Sequence, residues 1–595
     1  LGIDIAKPRL SWILVSTGRG QGQTAYRILV ASSKEKLAKD AADLWDSGKI
    51  NSDRSIHIEY DGLPLKSRQE CYWKVRIWDK DGKASKWSRT ATWSMGLLNT
   101  SDWGKAQWIS YYDPTQPPPI DRHFGYQSWI GKSADDTKWV AIDLGQTQEI
   151  DSVKLYPVTP CNRPERPYGA TGWRPNEAGF LFPLRFRIEV ANNDGFSNAV
   201  TVVDRTDTDV PNPGNKAQVY RFKPVHGRHV RLTVTRLAHR YSDLYGFALA
   251  EMQVYSRAEN VAESCRVTAL DSVSAGGFSN KKLVDGRLVG EQGLIDNEER
   301  PSSVVRKEFE LKERIKRATV SVTGLGLYEL YINGQRVGDH LLAPEMTQYT
   351  KRIQYQTYDV TNLLHKGANA VGAQMAGGWW TGPMSIESPL ENPQFCLLMR
   401  LDVEMENGST QTVFTDSSWQ ATTDGPIRQS GIYFGERYDA LKEMPGWNQP
   451  GFCGTGWLPV KILPYPDGAQ NATLVAQNNE PIRVVEELLP KKITEPRPGV
   501  YLFDMGQNMV GWCRLKADAP PGTKITLRHA EILNEDGTLY TDNLRGAAQI
   551  NEYVWKGGET TMEPHFTYHG FRYVELTGLP GKPAHDAIVG RVFHS

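Results

Sequence analysis

The sequence predicts a mainly β protein, with several antiparallel β-sandwich or jelly-roll-like domains joined in series. Three observations carry that expectation. Short β-branched and aromatic runs alternate in polarity, as in Ala25-Tyr26-Arg27-Ile28-Leu29-Val30, Tyr72-Trp73-Lys74-Val75-Arg76-Ile77-Trp78 and Val230-Arg231-Leu232-Thr233-Val234. A period of two marks a half-buried strand, because successive side chains leave opposite faces. Tight-turn dipeptides close such runs at Asp81-Gly82, Asn333-Gly334 and Asp536-Gly537, where the positive φ of a two-residue hairpin is easily reached. Helical periodicity is almost absent; Lys34 to Leu44 predicts one short helix, too small to organise a domain.

At 595 residues the chain is too long for one core and divides into about four to six units of roughly 100–150 residues. Its 54 Gly, 35 Pro, 18 Trp and 25 Tyr suit sandwiches with many turns. The 69 Lys+Arg balance 69 Asp+Glu, so the basic footprint that nucleic acid requires is missing and nucleic acid is excluded as a partner. No apolar run approaches the roughly 18 residues of a membrane span. Residue 1 already lies in patterned sequence, so the chain reads as a mature or trimmed product. Six cysteines are scattered without a CxxC or Cys/His cluster, which argues against a zinc or redox site.

Proline-rich breaks divide the chain at Asp113-Pro114-Thr115-Gln116-Pro117-Pro118-Pro119, at Pro464 to Gly468 and at Pro490 to Gly499, since proline cannot donate to a central sheet. In residues 1–110, Gln23 to Val30, Leu44-Trp45-Asp46-Ser47-Gly48 and Cys71 to Asp79 resemble the fibronectin-type-III-like domain that opens many bacterial α-L-rhamnosidases. Trp73 and Trp78 differ by five on one strand and so face opposite sides, one toward the core and one toward a neighbouring domain. Residues 120–300 carry Lys138 to Gly145, Ile150 to Leu155, Phe186-Arg187-Ile188-Glu189-Val190 and Ala250 to Tyr255. This pattern is similar to discoidin, or coagulation-factor type C, sandwiches, many of which bind glycans through loops at one end. The opening pattern of such domains recurs at Lys281-Lys282-Leu283-Val284-Asp285-Gly286. Either the strand around 262–286 completes the same sandwich from its C-terminal side or it is an independent linker.

Residues 301–465 contain Gly326 to Gly334, Val337-Gly338-Asp339, Leu342-Ala343-Pro344, Ile353 to Thr361 and Gly377-Gly378-Trp379-Trp380. They look like the N-terminal jelly-roll-like domain of family 78 rhamnosidases. Residues 480–595, with Phe503 to Trp512, Leu527-Arg528-His529-Ala530-Glu531 and His565 to Val574, resemble the sandwich that leads into that family's catalytic barrel. Together the four regions cover nearly the whole chain.

The resemblance implies carbohydrate binding, because in some members a related module binds L-rhamnose with calcium. A hard cation needs Asp or Asn oxygens, and a sugar's apolar side needs an aromatic face. Trp379, Trp380 and Asn333 are therefore the candidate carbohydrate contacts, Asp339 and Asp359 the candidate metal ligands, and Ca2+ the candidate cofactor. Each has a structural alternative: Asn333-Gly334 is a tight turn, Asp359 caps the segment entering Thr361, and Gly377-Gly378 lets backbone pack beside the tryptophans.

An inverting glycosidase needs one carboxylic acid and one carboxylate roughly 6.5–9.5 Å apart. The resemblance places both in an α/α barrel after the last sandwich, and no catalytic residue is assigned within this chain. Asp296-Asn297-Glu298-Glu299-Arg300 reads as a solvated linker, and Asn534-Glu535-Asp536-Gly537 as a hairpin turn with Glu531 on the strand before it. The leading expectation is the accessory glycan-binding and scaffolding region of an α-L-rhamnosidase acting on rhamnose-containing glycans. Its barrel would be supplied downstream of Ser595 or on another chain, and the expected polymer substrate implies a periplasmic or secreted location. The alternatives are a freestanding non-catalytic carbohydrate-binding protein, and an enzyme with an unfamiliar site around Arg545, His529 and Glu531.

Overall fold

In a computed structural model, the structure describes residues 1–112, 124–158, 178–241, 244–273, 278–287, 301–380, 395–432, 435–463, 469, 472–544 and 547–595. The proline-rich breaks at 113–119 and 464–468, the charged cluster 296–300 and Arg545 lie outside the described residues. Antiparallel sheets dominate, and no helix among the described residues is long and apolar enough to cross a membrane. The predicted helix is five residues, Lys34–Ala38, with the Ser33 side chain accepting from the Lys36 amide.

In the first sandwich, Gln23–Ala31 pairs with Glu70–Asp79, which in turn pairs with Ala91–Ser94. Ile28, Val30, Tyr60, Val75 and Trp93 fill its core. Trp73 packs against that core, whereas Trp78 lies beneath the Lys49 ammonium within its own domain. The expected interdomain role for one of the two is thus replaced by a local cation–π contact.

Lys138–Tyr156 is the spine of the second sandwich. It pairs along its length with Gln218–Arg236, and with Glu251–Ser256 over its second half. Arg266–Ala269 joins the first half of the same strand, matching Ala269 with Val140, while Leu283 and Val284 enter the same core as Ile142, Phe186 and Leu232. Of the 262–286 segment, Arg266–Ala269 therefore adds to this sheet, and Leu283 and Val284 to its core.

Two domain boundaries move. Trp108–Ser110, read as the end of the first segment, inserts between Lys461–Leu463 and Cys396–Met405 in a seven-stranded sheet of the third sandwich. Ile427–Gly431 and Gly435–Asp439, read as part of the third, hydrogen-bond into the ten-stranded sheet of the fourth, where Gly435–Asp439 runs parallel to Ile550–Val554. Sequence alternation fixes which face of a strand is buried but not which sheet receives its edge. The third core gathers Val320, Leu330, Val371, Leu401 and Trp419 between its two sheets, and the fourth gathers Phe503, Leu515, Leu527, Tyr553 and Phe571.

Candidate functional site

Four of the five predicted site residues have structural work. Trp380 is 1 % exposed, edge-on to the ring of Tyr349, and cannot offer a face to sugar in this conformation. Gly378 beside it takes φ +53°, and a Cβ there would come within 2.4 Å of the Leu327 side chain, so the glycine allows the backbone to pack closely. Asn333 has φ +50° in the turn before Gly334. Its amide donates to Leu363 O (2.9 Å) and Asn369 Oδ1 (2.8 Å), and its oxygen accepts from Ala370 N (2.8 Å). Asp359 accepts from the Thr361 amide (2.9 Å) and hydroxyl (2.6 Å), the local cap that the sequence also allowed. Asp339 takes the Arg483 guanidinium at 2.7 Å.

A calcium ion wants six to eight oxygens around one point. Asp339 and Asp359 each answer a different partner, and among the described residues no three His, Cys, Asp or Glu side chains gather into a metal-binding group. These two residues do not fit a shared calcium site. Trp379 is half-buried, packed against the cluster of Leu97, Trp103, Leu325 and Tyr349 and against the seam with the fourth sandwich, so it retains only part of a face.

Several strongly perturbed titratable groups are interior. At the seam between the third and fourth sandwiches, Glu329 accepts from Tyr331 OH (2.6 Å), pairs with Arg336 (3.2 Å) and meets His565 Nδ1 (3.0 Å). Burial pushes the Glu329 carboxyl up, but the His565 and Arg336 charges and these hydrogen bonds outweigh it and hold it at about 2. Burial pulls His565 down, and Glu329 outweighs it, raising the imidazole to about 9. Glu436 is 1 % exposed, accepts the His565 and Phe566 amides, and is raised by burial. Both carboxylates are enclosed with their oxygens occupied, so neither can protonate a glycosidic oxygen or activate water there.

His529 is likewise buried, stacked on His569 with ring centroids 4.2 Å apart. Burial lowers His529 to about 4 and pulls His569 well below the usual histidine range. Glu531 turns elsewhere, accepting from Asn508 and Asn543. The proton donor once conceivable around His529 and Glu531 is therefore two unrelated sites, and Glu535 sits in the turn between the paired strands Ile532–Leu533 and Leu539–Tyr540 as expected.

Trp129, which the sequence reading missed, has the geometry that Trp380 lacks. It is 63 % exposed, the one tryptophan among the described residues standing in solvent. Its indole N–H donates to Ser272 O at 2.6 Å, and its amide to Asp271 Oδ1 at 2.9 Å. Asp271 is itself fixed by Lys138, and its carbonyl by Tyr126 OH at 2.8 Å. These loops lie at the end of the second sandwich where Lys138–Tyr156 begins and Arg266–Ala269 finishes. An exposed ring held still has already lost the side-chain freedom that binding would otherwise remove, and its face suits the apolar side of a pyranose. Nothing local announces it, because the clamp comes from residues 142 and 143 positions away.

Taken together, the described residues form a string of antiparallel β-sandwiches. Three segments match family models: residues 1–99 a Rha78A-like N-terminal immunoglobulin domain, 313–486 the α-L-rhamnosidase N-terminal domain, and 494–594 the bacterial α-L-rhamnosidase concanavalin-like domain. An α-L-rhamnosidase of Streptomyces avermitilis is 38 % identical across 100 % of this chain and 56 % of its own length. One from Formosa agariphila is 29 % identical, over 46 % of its length. Solved structures of the S. avermitilis α-L-rhamnosidase complexed with L-rhamnose and of a Dictyoglumus thermophilum α-L-rhamnosidase superpose with TM-scores of 0.67 and 0.64, at 35 % and 27 % identity, covering 100 % of this chain and 56 % and 47 % of theirs. The chain belongs to the α-L-rhamnosidase family and spans about half the length of the relatives it matches.

Proposed function

We propose that these residues form the accessory, glycan-holding region of an α-L-rhamnosidase that removes terminal α-L-rhamnose from plant or microbial glycans outside the cytoplasm. In this reading the second sandwich is a discoidin-like glycan module, the other sandwiches are scaffold, and hydrolysis by an inverting acid–base pair belongs to a barrel in cis beyond Ser595 or on another chain. The single observation that carries it is Trp129, an exposed and immobilised ring at one end of a sandwich in a chain whose other segments match α-L-rhamnosidase domains. Support also comes from the perturbed carboxylates Glu329 and Glu436, which are committed to a domain seam and leave no accessible acid–base pair there.

The test uses the 595-residue chain. With an aryl α-L-rhamnoside it should release no aryl alcohol above background, whereas turnover would place catalysis within these residues. Calorimetry with a rhamnose-terminated oligosaccharide should show binding that falls at least ten-fold in Trp129→Ala. A chelator arm reports whether calcium takes part. Unchanged affinity in Trp129→Ala would remove the platform.

A further inference from the structure

A polar recess opens where the start of the chain crosses the third sandwich, lined by residues that do not include Trp129. Asp4 reaches over and accepts from the Ala476 amide through Oδ2 at 2.6 Å. Ala476 ends the strand Thr473–Ala476, which runs parallel to Arg352–Asp359 and pairs Gln354 with Val475. Nearby, Leu97 N donates to Tyr355 OH at 2.8 Å, and a Cβ at Gly2 would come within 2.4 Å of Thr357 Oγ1, so the two domains meet closely. Between Asp4 and these strands opens a cleft of about 400 Å³, within the roughly 300–1,000 Å³ of small-ligand sites.

The floor of the cleft is preorganised. Gln354 Nε2 donates to Asn479 Oδ1 (2.9 Å), Asn479 Nδ2 to Glu345 (2.7 Å), and Gln477 Nε2 to Glu345 (2.8 Å), so the amide of Gln354 cannot swing freely. That lock leaves Gln354 Oε1 buried with no hydrogen-bond partner, a state that costs about 1–3 kcal/mol unless a ligand or water supplies a donor. On the rim, the side chains of Gln348, Arg352 and Asn478 are exposed and make no hydrogen bond or ion pair among the described residues. Met346, 46 % exposed, and Val475 add apolar surface. The cleft thus presents a guanidinium and two amides as donors, and a carboxylate oxygen and an amide oxygen as acceptors, beside a small apolar wall.

We propose that this cleft is a second saccharide site, taking a neutral sugar ring whose adjacent hydroxyls both donate and accept. A hydroxyl can donate to Asp4 or Gln354 Oε1 while its oxygen, or its neighbour's, accepts from Arg352, Gln348 or Asn478; fork-shaped groups of this kind match vicinal hydroxyls. The Asp4 carboxylate in the same wall disfavours an anionic ligand. The cleft stands independently of Trp129, on a different pair of sandwiches.

Saturation-transfer NMR and calorimetry on the full 595-residue chain carrying Trp129→Ala would isolate the cleft, with methyl α-L-rhamnopyranoside and methyl β-D-glucopyranoside as neutral probes and D-galacturonate as the anionic one. At least one neutral probe should bind, and Arg352→Ala with Gln348→Ala should weaken it roughly ten-fold or more. Both positions are exposed, so an unchanged melting temperature would certify the fold. An Asn478→Ala variant provides a second reading. No neutral binding to the Trp129→Ala chain, affinity within two-fold in the rim variants, or tighter binding of galacturonate than of either neutral sugar would each overturn the proposal. Loss of binding in Trp129→Ala with the cleft silent would sustain the proposed function while sinking this site.

Discussion

Histidine occurs in the fourth sandwich in two enclosed settings with opposite electrostatic outcomes. His529 and His569 stack in the interior, where the described partners are a carbonyl and an amide: His529 Nδ1–H donates to Gln549 O (2.9 Å) and His569 Nε2–H to Asn551 Oδ1 (3.1 Å). His565 stands at the seam between Glu329 and Glu436, with its side chain 28 % exposed and its ring parallel to Tyr438. Burial acts against the imidazolium in both places; a carboxylate at 3.0 Å reverses the sign in one of them. The interior pair is neutral packing, whereas the seam is a charged clasp binding Glu329 and Arg336 of the third sandwich to His565 of the fourth. The two touch through Asn551, whose Oδ1 also accepts the Glu436 amide at 3.1 Å.

The largest way to break this contrast is Glu329→Ala. It removes the carboxylate that holds His565 as a cation and takes the partner from Arg336 at a seam that excludes most water, and removing one partner of such a pair costs about 3–5 kcal/mol. Urea unfolding of the full chain should show that loss, with the third and fourth sandwiches separating into distinct transitions. A loss below about 1 kcal/mol would mean that His565 is not held as a cation.

Acid tests the interior pair. In the unfolded chain histidine titrates near 6.5, whereas His529 in the fold waits until about 4, and burial holds His569 well below its usual range too. The unfolded state therefore binds more protons as pH falls through this window, and stability drops by about 2–3 kcal/mol between pH 6.5 and 4. Replacing the acid-averse pair with apolar rings, His529→Phe and His569→Phe, should flatten that slope in urea titrations. A slope that survives both changes would assign the acid sensitivity elsewhere.

Alkali tests the seam with the opposite sign. His565 keeps its proton to about 9 in the fold, so its contribution is complete below pH 6.5 and is lost as pH rises through 9. Partial exposure screens it, giving about 1–2 kcal/mol over that range. The same titration in Glu329→Gln, which keeps the shape but not the charge, should lose the alkaline limb. Glu329 itself contributes above the normal carboxylate range and fails only as pH falls through about 2, so it does not blur either window.

These two sites also show what a sequence gives up readily. Strand faces were legible: Phe186, Ile188 and Val190 are buried as their alternation with Arg187 predicts, and the Asn333-Gly334 turn takes positive φ at both residues. Local capping at Asp359 was legible for the same reason, since donor and acceptor are two residues apart. Trp380 was misassigned as a platform because a tryptophan beside glycine reads alike whether it packs inward or faces solvent, and only the approach of Tyr349 decides. The seam was invisible: Glu329 and His565 lie 236 positions apart and belong to elements that no periodicity links. Glu436 was hidden further, because its strand leaves the domain in which the sequence placed it.

The finest test removes one oxygen from the seam. Tyr331 OH donates to Glu329 Oε2 at 2.6 Å while its ring lies edge-on to Trp447, centroids 5.5 Å apart. Tyr331→Phe keeps the ring and its packing but deletes a hydrogen bond to a charged acceptor, a change worth about 1–2 kcal/mol, the lower end being expected where two other partners remain. Glu329 should then titrate higher and His565 slightly lower, since a carboxylate less well solvated by donors supports its cation less. NMR titration of the imidazoles would read both consequences in one experiment. His565 should shift while His529 and His569 hold their positions; equal movement of all three would mean that the clasp and the interior pair, joined through Asn551, titrate as one network.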